Sequence, residues 1–231
     1  MSDITRLIVV RHGNTFNSGD VILRVGSATD IPLTEKGLLQ GEAVGKSLLQ
    51  QNYSVDAVFH APLLRTAQSA AGILKSFPDA VVNVAGFLTE LDYGQDDGKP
   101  EDDVLLRLGV VASRNAITPQ VSLDELRAAG KAALKKWDSE AVLPDGWDFL
   151  ADRVAELESD WTAFAADITA NYAGKTVVAV TSNGIARFSK VLLPSGEVLD
   201  GSLKLATGAY GVYEYDGSNW RCAAWNVRPE L

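Results

Sequence analysis

Leu7-Ile8-Val9-Val10-Arg11-His12-Gly13 is the stretch of this chain that decides its fold. Four branched apolar residues in a row indicate a strand that is buried on both faces, as in a parallel sheet. Residues that follow such a strand reach the edge of the sheet where open α/β folds bind ligands. There Arg11 offers a planar fork of donors to a phosphate, His12 carries a ring nitrogen that can attack phosphorus, and Gly13 allows close backbone approach. A histidine at a strand end is more often structural, so this hypothesis needs support from the rest of the chain.

Composition and charge narrow the classes of protein to which the chain can belong. Its 231 residues are 46% hydrophobic and 22% charged, which is ordinary for a globular domain. The formal net charge of −9 argues against nucleic acid and anionic membranes as partners. Cys222 is the only cysteine, which excludes an intramolecular disulfide and a thiolate metal cluster. Because we find neither an apolar stretch of membrane-spanning length nor a signal-peptide pattern, we expect a cytoplasmic protein.

The pattern of apolar runs predicts an α/β fold with a mostly parallel central sheet, an antiparallel edge and flanking helices. Strand-like runs occupy residues 7–10, 55–59, 81–84, 176–181, 211–215 and 220–225. The last two runs flank Asp216-Gly217-Ser218-Asn219, a turn signal that predicts a hairpin and hence the antiparallel edge. Helical patterns separate the other runs, the first from a cap at Thr34 to Gln50 and two more over about 63–74 and 184–193.

A helical insertion subdomain is predicted at about residues 96–172, within a single domain of residues 1–231. Ser122-Leu123-Asp124-Glu125 has the form of a capping box, which predicts a helix start at this point. Apolar residues then recur three and four apart from Trp147 to Tyr172, which predicts one long helix with a continuous apolar face. We expect the tryptophans of this helix to belong to the core, although they could also line an apolar substrate site.

Further segments, in order along the chain, resemble the histidine phosphatase superfamily, the phosphoglycerate-mutase-like enzymes. The resemblance covers roughly residues 5–98 and 174–228 and leaves the helical insertion unmatched. The segments that carry it, besides Arg11-His12-Gly13, are Asn14-Thr15-Phe16-Asn17, Asp30-Ile31-Pro32-Leu33-Thr34-Glu35-Lys36-Gly37 with Gln40, Ala61-Pro62-Leu63-Leu64-Arg65-Thr66-Ala67-Gln68-Ser69-Ala70, Leu88-Thr89-Glu90-Leu91-Asp92-Tyr93-Gly94 and Thr181-Ser182-Asn183-Gly184.

The resemblance implies a role for each of its matched polar residues. His12 would be the nucleophile that carries the phosphoryl group, and Glu90 would donate a proton to the leaving group and later take one from water. The residues that would contact the phosphoryl group are Arg11, Asn17, Arg65, Asn183 and Gly184. Without the resemblance, Arg65 and Glu90 would be interpreted as solvated charges, which is the usual state of such residues. The chain shows no cluster with metal-ligand spacing, so neither a metal nor another cofactor is implied.

Asn183 is the main departure from the family pattern, because relatives usually carry a histidine at this position. An asparagine keeps a neutral amide donor but is never cationic. Losing the charge costs on the order of one to three kcal/mol, or roughly tenfold to a hundredfold in rate. His60, at the end of a second strand expected beside the first, could supply the missing cation or make a structural hydrogen bond. Lys99 could reach the pocket or pair with the acidic residues around it.

These observations predict a phosphomonoester hydrolase that acts on a small phosphorylated metabolite through a phosphohistidine. One alternative is a phosphoglycerate-mutase-type phosphotransferase, which we consider less favoured because residues 110–119 contain a single arginine instead of an arginine-rich clamp for a bisphosphate. Another is a catalytically impaired protein that binds a phosphate ligand, an alternative motivated by Asn183. The identity of the substrate stays open, and so does the oligomeric state, for which a homodimer is one option.

Overall fold

Six strands form one sheet in the order β3-β2-β4-β1-β5-β6. The computed structural model describes residues 4–114, 121–194, 199 and 202–231. The strands are β1 Thr5–Arg11, β2 Ala57–His60, β3 Val81–Val84, β4 Thr176–Thr181, β5 Tyr210–Tyr215 and β6 Trp220–Val227. Each lies at one of the six predicted runs, which confirms the strand content expected from the sequence.

The sheet is parallel in its interior and antiparallel at one edge, as predicted. β1 pairs in parallel with β4, and β2 pairs in parallel with both β4 and β3. β5 runs antiparallel to both β1 and β6. Because Arg11 is in register with Thr181, β1 and β4 end at the same level of the sheet. The residues that follow these two strands are therefore neighbours at one edge.

The expected place of His60 beside the first strand is wrong. β4 lies between β2 and β1, so His60 is in register with Val180 of β4 rather than with a residue of β1. The order of the strands depends on pairing between segments more than a hundred residues apart. Local sequence patterns carry no information about such a crossover.

Helices cover both faces of the sheet and fill the long segment between β3 and β4. The α-helices are α1 Glu35–Gln50, α2 Leu64–Leu74, α3 Glu101–Ala112, α4 Leu123–Glu140, α5 Ala151–Asn171 and α6 Asn183–Ala186. Short 3-10 turns occupy Gly86–Leu88, Gly94–Asp96, Asp148–Leu150 and Arg187–Leu192. Within the described part of the chain, no helix is both long and apolar enough to cross a bilayer.

Two predicted helix caps are confirmed, and one predicted helix boundary is wrong. The Thr34 side chain accepts a hydrogen bond from the Gly37 amide at the start of α1, and Ser122 forms a reciprocal capping box with Glu125 at the start of α4. The long helix begins at Ala151 rather than at Trp147. Trp147 has a φ of −115° and a ψ of 19°, outside the α-helical region, and the 3-10 turn Asp148–Leu150 precedes α5.

The core consists of two apolar layers on opposite faces of the sheet. One layer places Ile8 and Val10 of β1 with residues of α1 and α2, whereas the other places Leu7 and Val9 with residues of α5. This division follows from the alternation of side chains along a strand. Trp161 of α5 is fully buried in the second layer. The layers hold β1 rigidly between them, and this fixes the position of the residue that follows it.

Candidate active site

A cavity of about 680 Å³ lies at the carboxyl ends of β1 and β4. The predicted site residues that line it are Arg11, His12, Glu90, Asn183 and Gly184. Other parts of the wall come from residues 22–25 and from α4, which carries none of the family motifs identified in the sequence. The structure therefore brings together segments that are distant in the sequence, at the edge of the sheet where the first strand predicted a site.

His12 is buried at the base of this cavity with its ring orientation fixed. Its backbone amide donates to the Thr181 carbonyl at 3.0 Å, which ties the end of β1 to the end of β4. The Nδ1 atom lies 2.8 Å from the carbonyl oxygen of Gly13. A carbonyl oxygen can only accept, so Nδ1 carries the proton of the neutral ring and Nε2 keeps its lone pair.

Electrostatics keep this imidazole neutral. Burial lowers the pKa of His12 well below its usual range, and the charges of Arg11 and Arg65 lower it further. The hydrogen bond to Gly13 works in the opposite direction and is the weakest of these effects. A neutral, buried imidazole with a free Nε2 is the form that can attack phosphorus.

Gly13 is required by the close approach of two backbone segments. Its amide donates to the Ser69 hydroxyl at 3.0 Å. A Cβ at this position would lie 2.3 Å from the Gly37 carbonyl oxygen, in the first turn of α1. A side chain at residue 13 would therefore push the histidine loop away from α1.

The two predicted arginines both act on His12 through their charges. Arg11 donates from Nη1 to the Leu205 carbonyl at 2.7 Å, and Arg65 donates to the carbonyls of Gly26 and Thr29, both at 3.0 Å. Burial lowers the pKa of Arg11 to about 10 and lowers that of Arg65 as well, yet both stay cationic at neutral pH. The Nε atoms of both are buried without a hydrogen-bond partner in the described part of the chain.

Arg65 differs from Arg11 in that it does not line the cavity. It is only 1% exposed and lies behind the cavity wall, although its charge reaches His12 and contributes to the lowered pKa of the imidazole. The interpretation of Arg65 as a solvated surface charge is therefore wrong. It is a buried cation beside the histidine.

Glu90 is held by two backbone donors. Its Oε1 accepts from the Leu91 amide at 2.9 Å, and its Oε2 accepts from the Gly184 amide at 3.1 Å. A Cβ at residue 184 would lie 2.0 Å from Oε1, so the approach of α6 to this carboxyl group requires glycine. The Gly184 amide, predicted to bind phosphate, is thus directed at Glu90. Asp92, two residues further along the same segment, is exposed and accepts from the Gly94 amide.

Asn183 is the first residue of α6 and lines the cavity. Its Oδ1 accepts from the Leu205 amide at 2.9 Å, which leaves the Nδ2 group as a donor. The same Leu205 residue accepts from Arg11 through its carbonyl oxygen. One backbone unit therefore orients both Arg11 and Asn183.

Like Arg65, three further residues considered from the sequence do not line the cavity. Asn17 is exposed, and its amide donates to Asp20 at 2.7 Å. Lys99 is exposed as well. His60 is partly buried, with its Nδ1 2.7 Å from the Ala61 carbonyl oxygen, in line with a structural hydrogen bond. The structure does not place His60 where it could substitute for a second histidine.

Sequence reasoning missed several side chains that the fold brings to the cavity, and the buried Arg187 is one of them. Arg187 is 2% exposed, donates to the Asn183 carbonyl at 3.2 Å and to the Trp137 carbonyl, and stacks 4.1 Å from the centre of the Trp137 ring. Its position four residues after Asn183 was the available signal, since such residues share a helix face. Tyr93, in the same segment as Glu90, and Arg24 also line the cavity.

The architecture is that of an α/β protein with a histidine–arginine site at the carboxyl edge of its sheet. The sequence profile of the histidine phosphatase superfamily (branch 1) matches residues 7–228. The chain therefore belongs to this superfamily, as the sequence motifs had predicted.

Individual relatives include both mutases and phosphatases. A 2,3-bisphosphoglycerate-dependent phosphoglycerate mutase of Borrelia garinii is 28% identical over 224 residues, which cover 91% of this chain and 87% of the relative. The fructose-2,6-bisphosphatase TIGAR of Xenopus tropicalis is 33% identical over 135 residues, which cover 54% of this chain and 46% of the relative. The crystal structure of phosphoglycerate mutase from Bacillus anthracis shares the fold, with a TM-score of 0.67, 19% identity and coverage of 97% and 94% of the two chains.

Proposed function

We propose that the protein is a phosphomonoester hydrolase that works on a small phosphorylated metabolite through a phosphohistidine at His12. The observation that carries the proposal is the state of His12 itself. Its ring is buried, held neutral by burial and by two arginines, and oriented by Gly13 so that Nε2 keeps its lone pair. A purely structural histidine at a strand end would have no need of two guanidinium groups whose charges act on its ring.

The first half of the reaction forms the phosphohistidine. Nε2 of His12 attacks phosphorus, the bond between phosphorus and the ester oxygen breaks, and the leaving oxygen takes a proton from Glu90. The two backbone donors on Glu90 fix the carboxyl group at the cavity wall, where a leaving group can reach it.

The second half of the reaction returns the enzyme to its starting state. A water molecule attacks phosphorus, the bond between phosphorus and Nε2 breaks, and Glu90 takes the proton of that water. Exposed side chains of α4, among them Lys131 and Lys135, line the cavity, so it opens to the surface and water can enter.

The non-bridging oxygens of the phosphoryl group need donors in both halves. We assign this role to Arg11, whose buried Nε group has no partner in the described residues, and to the Nδ2 group of Asn183, whereas Arg65, which does not line the cavity, acts on the site through its charge. Donors that are already oriented stabilise the charge that develops in the transition state. Removal of one such donor lowers the rate by a factor of about 10²–10³. The neutral amide of Asn183 predicts a slower enzyme than one with a cation at that position.

The test compares the two histidines of the chain. Purified wild type, His12→Asn and His60→Asn are assayed for release of inorganic phosphate from 4-nitrophenyl phosphate and from a panel of phosphorylated metabolites. We expect His12→Asn to lose at least about 10³-fold in kcat, because no other group replaces the nucleophile, and His60→Asn to keep near wild-type activity. Retention of activity in His12→Asn would refute the proposal.

A phosphotransferase is a second candidate, favoured by the phosphoglycerate mutase relative that matches 91% of this chain. The argument from a single arginine in residues 110–119 is untested, because residues 115–119 lie outside the described part of the chain. A mutase needs a bisphosphate to phosphorylate its histidine. If the protein is a mutase, then with 2,3-bisphosphoglycerate present the rate of phosphoglycerate interconversion should be at least about ten times the rate of hydrolysis. If neither reaction occurs while phosphorylated compounds still bind, the protein is a catalytically impaired phosphate-binding protein, the alternative that Asn183 suggested.

A further inference from the structure

The cavity is cationic although the chain is strongly acidic. The chain has a formal net charge of −9, yet among the described residues of the cavity wall cationic side chains outnumber carboxylates by six to three. The six cationic residues are Arg11, Arg24, Lys131, Lys135, Arg187 and Lys204, and the three carboxylates are Glu90, Glu101 and Asp138. Because the three carboxylates balance only part of this positive charge, the wall favours binding of an anionic ligand.

The wall carboxylates away from His12 are already paired. Arg24 forms an ion pair with Glu101. Asp138 is shared between Lys204, at 2.9 Å, and Arg187, at 3.4 Å. Two carboxylates are thus paired with three of the cationic groups of the wall, namely Arg24, Arg187 and Lys204.

Lys131 and Lys135 stay outside this pairing. Within the described ranges, neither lysine forms an ion pair. Lys131 helps to lower the pKa of Asp102, but that carboxylate is bound by Arg127 at 2.7 and 2.9 Å. Two ammonium groups are therefore available to a ligand at the cavity wall.

The two lysines face the cavity because of their spacing on α4. Lys131, Leu134, Lys135 and Asp138 are separated by three, one and three residues, so they lie on one face of the helix, and all four line the cavity. Leu134 gives this face an apolar part beside the two ammonium groups. Lys136, the next residue, is exposed but does not line the cavity.

We propose that Lys131 and Lys135 bind a second anionic group of the substrate, distinct from the phosphoryl group transferred to His12. The inference rests on the proposed function, because it takes His12 as the place of the transferred group. The substrate class is then a phosphomonoester that carries a further carboxylate or phosphate, with its carbon skeleton against Leu134.

Binding measurements test the inference without turnover. In the His12→Asn background, isothermal titration calorimetry gives the dissociation constants of two matched ligand pairs. 3-Phosphoglycerate and sn-glycerol 3-phosphate differ in a carboxylate, whereas fructose 1,6-bisphosphate and fructose 6-phosphate differ in a phosphate. In at least one pair, we expect the ligand with two anionic groups to bind about tenfold more tightly than its partner. The pair that shows this effect identifies the second group as a carboxylate or a phosphate.

The variants then assign the preference to the two lysines. Lys131→Gln with Lys135→Gln should reduce it to about twofold or less, whereas Lys136→Gln, which removes a charge from the same helix, should leave it intact. Because the lysines are exposed, the preference should also shrink as ionic strength rises from about 0.02 to 0.2 M, a range over which the Debye length falls from roughly 20 to 7 Å. Absence of a preference in both pairs, or its survival in the double variant, would overturn the inference.

The design separates this inference from the proposed function. Hydrolysis by wild type and its loss in His12→Asn test the function, and the binding preference tests the lysines. Melting temperatures of the lysine variants, expected within a few degrees of wild type at these exposed positions, check that α4 keeps its fold.

Discussion

Gly184→Ala is the substitution for which the structure makes the most specific prediction. The added Cβ would lie 2.0 Å from Oε1 of Glu90, 2.9 Å from its carboxyl carbon and 3.0 Å from the Tyr93 hydroxyl. The carboxyl group is held by the amides of Leu91 and Gly184 and is buried, so it cannot simply rotate into solvent. The substitution should therefore displace the proposed proton donor while it leaves the nucleophile untouched.

The size of the effect follows from the size of the displacement. An ordinary contact begins near 3.4 Å, so the carboxyl group must move by about 1.4 Å. A misplacement of about 1 Å can cost a catalytic group roughly 10²-fold, and a positioned general acid contributes about 10²–10⁴-fold in total. We expect formation of the phosphohistidine to slow by about 10²-fold for alkyl phosphates, whose alkoxide leaving groups need the proton. For 4-nitrophenyl phosphate, whose leaving group is already stable as an anion, the loss should be less than about tenfold.

Rapid-mixing experiments measure this step separately from hydrolysis of the phosphohistidine. The burst of 4-nitrophenolate reports it for the aryl substrate, and quenched single-turnover assays report it for an alkyl phosphate. Gly86→Ala is the matched control, because a Cβ at that exposed position meets nothing within 4 Å. Equal losses on both substrates, or no loss on either, would refute the assignment of Glu90 as the proton donor positioned by Gly184.

Further substitutions and a pH series test the other parts of the site. Glu90→Gln should show the same dependence on the leaving group as Gly184→Ala, with a loss of about 10²-fold or more on alkyl phosphates in single-turnover assays. Asn183→His should raise the rate of phosphoryl transfer about tenfold and Asn183→Ala should lower it by a similar factor, since one charge-assisted hydrogen bond is at stake; unchanged rates in both would show that residue 183 does not contact the phosphoryl group. Arg187→Lys should lower kcat about tenfold and reduce the melting temperature, because an ammonium group cannot replace a stacked guanidinium that donates to two carbonyls. Because the pKa of His12 is lowered in the folded state, the unfolded chain binds the proton first as the pH falls below about 6.5. Between neutral pH and pH 5.5, the unfolding free energy of wild type in urea titrations should therefore fall by roughly 1 kcal/mol more than that of His12→Asn.

Local sequence patterns predicted the strands well because each strand is a short apolar run with a clear boundary. β1 and β4 each lie buried in the middle of the sheet, and their runs of branched apolar residues reflect burial on both faces. The position of His60 could not be predicted in the same way. It depends on β4, which enters the sheet between β1 and β2 after a long helical segment.

The start of α5 shows how a correct periodicity can give a wrong boundary. Trp147, Leu150 and Val154 have helical spacing, but the first two belong to a turn that precedes the helix. Trp147 is fully buried and donates from its indole nitrogen to Asp96 at 2.7 Å, so its apolar character reflects core packing and not its place in α5. Spacing alone does not distinguish these cases.

The residues of the candidate site differ in the same way, because some are predicted by the local sequence and others depend on long-range packing. The motif after β1 predicted His12 and Arg11 from their place at a strand end, whereas Glu90 was predicted only through the resemblance to the histidine phosphatase superfamily. Arg187, in the 3-10 turn after α6, and Lys131, in α4, line the same cavity although more than forty residues separate them in the sequence. No short motif marks such residues, and their contribution became visible from the shape and charge of the cavity.

The central claim is that His12 carries the phosphoryl group, and quenched-flow mass spectrometry tests it most directly. Wild type is mixed with an alkyl phosphate that it hydrolyses, quenched in base during the first turnover, digested and analysed for phosphopeptides. The account predicts acid-labile phosphate on the peptide that contains His12, formed as fast as the alcohol is released, and none on the peptide that contains His60. Turnover without a phosphorylated His12 peptide, or phosphate on any other residue that forms at the catalytic rate, would contradict it.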